Sequence, residues 1–163
     1  MLDARTMHVR ELDVSRLAEL RPMAEHFFRT KLAHKLNDCG VFHWDILAKQ
    51  FIAAHAAGVA HGLVLEDDKD TYHGLITFVV SFDAMAGGMV AAEWSWCVEP
   101  EVKNGGERLL REFVKRAASL GAKVAMVGVF TGHHSDGMAR LYKRHGFREL
   151  QRQYVCELTL AEM

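Results

Sequence analysis

The sequence predicts an α+β domain in which helices flank a central, mixed and mostly antiparallel β-sheet. Helical periodicity occupies the first part of the chain, and β-branched and aromatic residues dominate the middle. A helix, an apolar run and a second helix follow. The length of 163 residues suits one domain, and 50% apolar with 25% charged residues is typical of a globular protein. We therefore expect a single domain over residues 1–163.

The first part of the chain contains two helical regions. Apolar residues recur at helical spacing over residues 14–36, and Pro22 predicts a boundary between two short helices. After a polar break, the same period extends from Trp44 to Gly58, where the glycine favours a helix end.

The middle of the chain has the pattern of three consecutive strands. Residues 59–65 and 72–82 flank an acidic turn and predict a hairpin. Residues 90–98 predict the next strand, which Pro100 closes. An antiparallel meander is the expected arrangement.

The second half returns to helical periodicity. An amphipathic helix is predicted from Gly105 to Gly121, with Val114 among its apolar positions. The apolar run 123–130 predicts a strand that is buried on both faces and parallel to the preceding one. A short helix then starts near Ser135 and ends at Gly146, and alternation over residues 154–160 predicts a terminal strand.

Charge and cysteine content exclude several classes of function. The 20 Lys and Arg residues balance 21 Asp and Glu, so no basic field attracts nucleic acid or an anionic membrane. Cys39, Cys97 and Cys156 lie far apart among apolar residues, which is typical of buried thiols in a reducing compartment. No CxxC spacing, signal-peptide core or apolar run of membrane-spanning length occurs. We expect a soluble cytoplasmic protein without a metal.

One segment connects the chain with a known family. Residues 141–147, with the sequence LYKRHGF, resemble the Leu-Tyr-x-x-x-Gly-Phe segment that GNAT N-acetyltransferases carry on the helix after the buried strand. The predicted order of helices and strands is also that of the GNAT fold. The resemblance implies transfer of an acetyl or similar acyl group from acetyl-CoA to an amine, by direct attack and without a metal. Because terminal strands in this fold often pair between subunits, it also allows a homodimer.

Within this segment, the resemblance makes Tyr142 the candidate general acid. The family's tyrosine lies near the sulfur of coenzyme A and protonates the departing thiolate. A phenol with a pKa of about 10 is protonated at neutral pH, as a general acid must be. The alternative is that Tyr142 only packs its helix against the sheet.

The loop before the amphipathic helix resembles the family's phosphate-binding region. Residues 96–110 read WCVEPEVKNGGERLL, a strand end, a glycine-containing loop and a helix that opens with two leucines. Glycines let backbone N–H groups approach an anion, and a helix N-terminus adds partial positive charge. Basic side chains add charge-assisted contacts. The candidate cofactor-binding residues of the loop and helix are Lys103, Asn104, Gly105, Gly106 and Arg108.

The loop departs from the family pattern at two positions, where Glu101 and Asn104 replace the basic or glutamine residue and the first glycine. Gly106 fits if Leu109 and Leu110 define the register; with Lys103 as the basic residue, the loop is two residues shorter than the pattern. The alternative is that the glycine pair makes only a tight turn from strand to helix.

The strand before this loop supplies the candidate base. Glu93 resembles the strand glutamate that serves as general base in the histone-acetyltransferase branch, and an amine must lose a proton before it attacks a thioester. Strand alternation places Glu93, Ser95 and Cys97 on one face. The alternative for Glu93 is a solvated or edge-strand carboxylate.

In the family, a backbone N–H of this strand polarises the thioester carbonyl, and Cys97 or Val98 corresponds to that donor here. Cys97 is also a conceivable nucleophile, but a buried thiol is the favoured interpretation, because no histidine or asparagine pattern accompanies it.

Three hypotheses follow for the function. The favoured one is an acyl-CoA-dependent N-acetyltransferase with Glu93 as base and Tyr142 as acid. The second is a catalytically impaired GNAT-like binding module, which the altered loop keeps open. The third is an unrelated α+β interaction domain.

Overall fold

The computed structural model describes residues 7–32, 43–128 and 135–150. The strands are β1 Met7–Glu11, β2 Ala60–Asp67, β3 Tyr72–Asp83, β4 Gly88–Val98 and β5 Val124–Met126. The α-helices are α1 Arg21–Phe27, α2 Trp44–Ala56, α3 Gly105–Ser119 and α4 Ser135–Arg144. A 3-10 helix over Val14–Leu20 precedes α1, and a π-helical turn over Phe28–Leu32 follows it.

Local signals place the helix ends. The Asp13 side chain accepts the backbone N–H of Ser15 and caps the 3-10 helix, and Pro22 lies in the first turn of α1, where a missing N–H costs nothing. Gly58 and Gly146 have positive φ angles of 75° and 82° just after α2 and α4. They adopt the left-handed conformation that ends helices, as predicted.

The described strands form one sheet in the order β1-β2-β3-β4-β5. Neighbours from β1 to β4 are antiparallel, whereas β4 and β5 are parallel. This arrangement confirms the predicted mixed, mostly antiparallel sheet, and the meander of β2, β3 and β4 has the predicted hairpins. The predicted terminal strand lies outside the described residues.

Helices cover both faces of the sheet. On one face, α3 and α4 pack on a core that includes Phe78, Phe113 and Tyr142, and the rings of Phe78 and Phe113 lie 4.9 Å apart. On the other face, Trp44 and Phe51 of α2 pack with Leu17 and Cys97. Burial of these large side chains is the main favourable contribution to the free energy of folding.

Two details of burial differ from the prediction. Val124 at the start of β5 is 40% exposed, so this strand is not buried on both faces; β5 is the last strand in the described order, and α1 and α2 lie over β4 and β2 instead. Val114 on α3 is 38% exposed, because Leu110, Phe113 and Ala117 already form the buried stripe.

Within the described ranges, no helix is both long and apolar enough to cross a membrane.

Candidate active site

A bulge in β4 decides which residues face the candidate site. Thr77 of β3 lies opposite Ser95, but the next residue, Phe78, lies opposite Glu93, so Trp94 is an extra residue in β4. An inserted residue reverses the alternation of side chains beyond it. The prediction that Glu93, Ser95 and Cys97 share one face is therefore wrong. Ser95 and Cys97 face α1 and α2, and Glu93 faces α4.

Glu93 and Tyr142 meet at one residue, Gly128. The backbone N–H of Gly128 donates to Glu93 Oε2 at 3.0 Å, and the Tyr142 hydroxyl donates to the carbonyl oxygen of Gly128 at 2.8 Å. Gly128 follows β5, so three separate segments of the chain converge here. We call the group of Glu93, Gly128 and Tyr142 the β4–β5 junction.

Burial shifts the protonation of both side chains at the β4–β5 junction. Burial raises the pKa of Glu93, although the Gly128 N–H opposes the shift by stabilising the carboxylate. Burial also raises the pKa of Tyr142 well above its ordinary value, and the nearby charge of Glu93 raises it further. Tyr142 is therefore a protonated phenol at neutral pH, and Glu93 is a stronger base than an exposed glutamate.

The ring of Tyr142 is packed as well as hydrogen-bonded. It is 8% exposed and lies between Trp96, at 6.1 Å between ring centroids, and Phe147, at 5.7 Å. Phe147 and Tyr142 both come from the LYKRHGF segment, and the Phe147 N–H donates to the Tyr142 carbonyl at 3.0 Å. The segment thus holds Tyr142 in place by its own local structure.

Strand pairing identifies the backbone donors of β4 that point away from β3. The Glu99 N–H donates to the His73 carbonyl at 3.0 Å, which makes His73 and Glu99 a hydrogen-bonded pair of the antiparallel ladder. Such pairs alternate, so Cys97 bonds to β3 whereas the N–H groups of Trp96 and Val98 point away from it. The described part of β5 pairs with β4 only as far as Ala92. This pairing favours Val98 over Cys97 as the candidate donor and adds Trp96, which the sequence analysis missed.

Cys97 lies on the face opposite Glu93. Its side chain is 5% exposed, and burial raises the pKa of the thiol to about 12, with Glu99 adding to the shift. A thiol that stays protonated at neutral pH is a poor nucleophile.

The glycines before α3 are close to other atoms of the protein. A Cβ on Gly105 would lie 2.8 to 2.9 Å from side-chain carbons of Leu65, Val98 and Val102, so packing requires glycine there. A Cβ on Gly106 would lie 3.3 Å from the Trp96 ring. At Gly105, close packing therefore supports the alternative hypothesis that the glycine pair makes a tight turn from strand to helix.

The polar candidates around this turn differ in their surroundings. Asn104 has a left-handed φ of 60° and makes no side-chain cap on α3, and Lys103 is exposed. Arg108 donates to the Met7 carbonyl and so ties α3 to β1. Of the basic candidates, only Lys103 projects into solvent beside the start of α3.

A cluster of charges that the sequence analysis missed lies where α4 ends near the start of α3. His145 Nε2 lies 2.9 Å from Glu107 Oε1, and this hydrogen bond lowers the pKa of Glu107, with smaller contributions from Arg144 and Arg111. A carboxylate in the first turn of α3 occupies the position that an anion would prefer. The sequence offered one signal for this cluster, namely that His145 lies inside the LYKRHGF segment.

The opposite face of β4 carries a narrow apolar cleft beside Trp94. Trp44, Leu47 and Phe51 line it, and the hydroxyls of Thr77 and Ser95 form a 2.7 Å hydrogen bond at its wall. Its space of about 10 Å³ is near the minimum for one water molecule. Trp44 and Phe51 are 6% and 4% exposed, so they are core residues. Among the described residues, no group of three or more His, Cys, Asp or Glu side chains could hold a metal ion.

The chain was compared with known proteins. No protein-family model and no curated protein matches it. Solved structures, in contrast, match nearly the whole chain. An acetyltransferase from Trypanosoma brucei is 15% identical with a TM-score of 0.69, and the match covers 93% of this chain and 99% of that one. A ribosomal-protein-alanine N-acetyltransferase from Brucella melitensis is 14% identical with a TM-score of 0.69 and coverage of 94% and 99%.

A third match is AAC(6')-Iy in complex with the bisubstrate analogue CoA-S-monomethyl-acetylneamine, at 12% identity, a TM-score of 0.70 and coverage of 94% and 98%. Identities this low establish the fold and leave substrate and activity open. An unrelated α+β fold, the third hypothesis, is excluded. Together with the mixed sheet and its flanking helices, these matches show that the chain has the fold of the GNAT acetyltransferases.

Proposed function

We propose that the chain is an N-acyltransferase that moves an acetyl or similar acyl group from coenzyme A to an amine by direct attack. The observation that supports this most is the β4–β5 junction, where a carboxylate and a phenol with raised pKa values meet on the part of β4 beyond its described pairing with β5. Groups with shifted pKa values that lie close together are typical of functional sites.

Coenzyme A, when bound, supplies the acyl group as a thioester. Glu93 takes the proton of the amine, whose nitrogen then forms the bond to the acyl carbon as the carbon–sulfur bond breaks. The N–H of Val98 or Trp96 stabilises the negative charge that develops on the carbonyl oxygen. Tyr142 gives its proton to the departing sulfur, which requires its hydroxyl to turn away from the Gly128 carbonyl.

The start of α3 would hold the phosphates of the coenzyme. The N-terminus of α3 has no side-chain cap, and Lys103 is exposed beside it. Uncapped N–H groups and a helix dipole favour an anion at such a position.

Three observations favour the second candidate, a binding module without catalysis. Glu107 places a carboxylate in the first turn of α3, Arg108 is engaged with Met7, and Gly105 is explained by packing. Each of these weakens the anion site, and none affects the β4–β5 junction.

Calorimetric titration with coenzyme A and acetyl-CoA separates the two candidates when it is combined with a thiol-release assay across a panel of amines. We expect binding together with release of free thiol that depends on the amine. Binding without release at any amine would favour the binding module, and absence of binding would contradict the acyltransferase.

A further inference from the structure

A buried histidine lies between two carboxylates near the loop that follows β4. His73 is 8% exposed, and its Nδ1 lies 2.7 Å from Glu99 Oε2 while its Nε2 lies 3.1 Å from Asp67 Oδ2. Carboxylate oxygens only accept hydrogen bonds, so both ring nitrogens must carry protons to satisfy both contacts. The geometry therefore describes an imidazolium that bridges two anions.

This bridge connects a rigid turn to a loop. The Asp67 Oδ1 atom accepts the backbone N–H groups of Lys69 and Thr71, each at 2.9 Å, so its carboxylate is fixed within the β2–β3 turn. Glu99 is the first residue of loop 99–104, which joins β4 to α3, and its carbonyl accepts the Val102 N–H at 3.0 Å. His73 thus anchors the start of loop 99–104 to the hairpin.

The charges around His73 make the bridge sensitive to protonation. Burial alone would lower the pKa of His73, but the hydrogen bonds to Glu99 and Asp67 raise it above its ordinary value. Bonds from Thr71 and His73 in turn lower the pKa of Asp67 to about 2. Among the described residues, Asp67 at the end of β2 and Glu99 after β4 are the charged groups that act on this ring.

We propose that His73 is a positioning residue for loop 99–104 and that its protonated form strengthens coenzyme A binding at the start of α3. This inference rests on the proposed function. A neutral His73 has a single N–H, so one carboxylate loses its donor and two anions face each other across an uncharged ring. The side-chain contact that fixes the start of loop 99–104 is then weakened, while the backbone bond between Glu99 and His73 remains.

The direction of the pH dependence follows from the raised pKa. The bridge contributes fully to the stability of the folded state below pH 6.5, which is the ordinary pKa of histidine. This contribution is lost as the pH rises through the higher pKa of His73 in the folded state. Order in loop 99–104 and coenzyme affinity should both fall in that window.

The test uses His73→Gln, with His61→Gln as the matched control. His61 is a partly buried histidine on β2 that stacks on Phe78 and contacts neither Asp67 nor Glu99 in the described bonds. Amide hydrogen exchange of loop 99–104 in the coenzyme-free protein, corrected for intrinsic rates, is measured from pH 6 to 9. The dissociation constant for coenzyme A is measured over the same range.

In the wild type and His61→Gln, we expect protection and affinity to decrease together above pH 6.5. In His73→Gln, both should be lower by about tenfold at pH 6, and the exchange protection of loop 99–104 should no longer change with pH, since the charged bridge is absent. Glu99→Gln keeps the ring and an acceptor oxygen but removes one charge, so the midpoint of the wild-type profile should move to lower pH. Glu99→Gln therefore tests the proposal even if His73→Gln does not fold.

Exchange that is flat with pH in the wild type, or an unchanged midpoint in Glu99→Gln, would overturn the role of His73. Failure of the wild type to bind coenzyme A at every pH would instead overturn the proposed function, and the exchange profile would still decide whether His73 anchors the loop.

Discussion

The β4–β5 junction and loop 99–104 lie at opposite ends of the same half of β4, and they differ in what their polar groups do. At the junction, Glu93 and Tyr142 have raised pKa values and lie where the described pairing of β4 with β5 ends. In and after the loop, Gly105 and Arg108 serve packing, and Glu107 brings negative charge to the start of α3. The difference supports the proposed proton transfer at the junction more strongly than the proposed anion binding at the start of α3.

The largest expected effect comes from breaking the junction at its base. Glu93→Gln should lower kcat by about 10² to 10⁴-fold while the dissociation constant for coenzyme A stays the same, because the amide cannot take a proton. The wild-type rate should rise with pH through a pKa above 4.5, since only the carboxylate is active, and the variant should lose this limb. Steady-state kinetics against pH provide the measurement. Glu112→Gln on the exposed side of α3 is the control, and an equal loss there would point to a general charge effect.

A smaller effect is expected from Tyr142→Phe. The ring packing remains, but the proton donor is gone, so kcat should fall about 10²-fold and the free energy of unfolding by about 1 kcal/mol for the lost bond to Gly128. Tyr72→Phe removes a hydroxyl from another buried tyrosine and should change stability without changing kcat. Unaltered turnover and an unaltered pH profile in Tyr142→Phe would refute its role as acid.

Gly105→Ala tests whether packing alone explains the glycine pair. The added Cβ meets carbons at 2.8 to 2.9 Å, so unfolding free energy should fall by about 1 to 3 kcal/mol. Gly137→Ala on α4 is the matched control, because among the described residues no atom outside its chain neighbours and its own helix backbone lies within 4 Å of its Cβ position. It should stabilise the protein by about 0.4 to 1 kcal/mol. Thermal denaturation measures both, and equal stability of the two variants would contradict the packing explanation.

The smallest effects concern charge at the start of α3. Glu107→Gln should tighten coenzyme A binding about twofold to threefold, and Lys103→Gln should weaken it by a similar factor, since both groups act on an anion through solvent. Calorimetry at low and high salt checks the pair, and both shifts should shrink as salt screens the charges. Changes of the same sign in both variants would exclude an anion at this position.

Sequence reasoning worked best where structure is local. The hairpins of β2, β3 and β4, the amphipathic α3 and the glycine that ends α4 follow from periodicity and turn chemistry, which neighbouring residues decide. Through a resemblance, it also proposed Glu93 as base and Tyr142 as acid, without showing how the two side chains meet. The two side chains meet through Gly128, whose N–H and carbonyl bind them, and no sequence motif marks this glycine.

Local sequence patterns were enough to predict the order and type of the elements from α2 to α4 and the balance of charge, because hydrophobic period and turn residues act within a few positions of each other. They did not predict β1, which is only five residues long. Tertiary structure alone decided that Trp94 bulges, that Glu93 therefore turns away from Cys97 toward Tyr142, and that His73 bridges two carboxylates. A bulge arises from the register between paired strands, and a buried ion bridge arises from segments that are distant in the chain. The bulge and the ion bridge therefore cannot be predicted from the sequence of a single strand, because each depends on residues of another segment that pack against it.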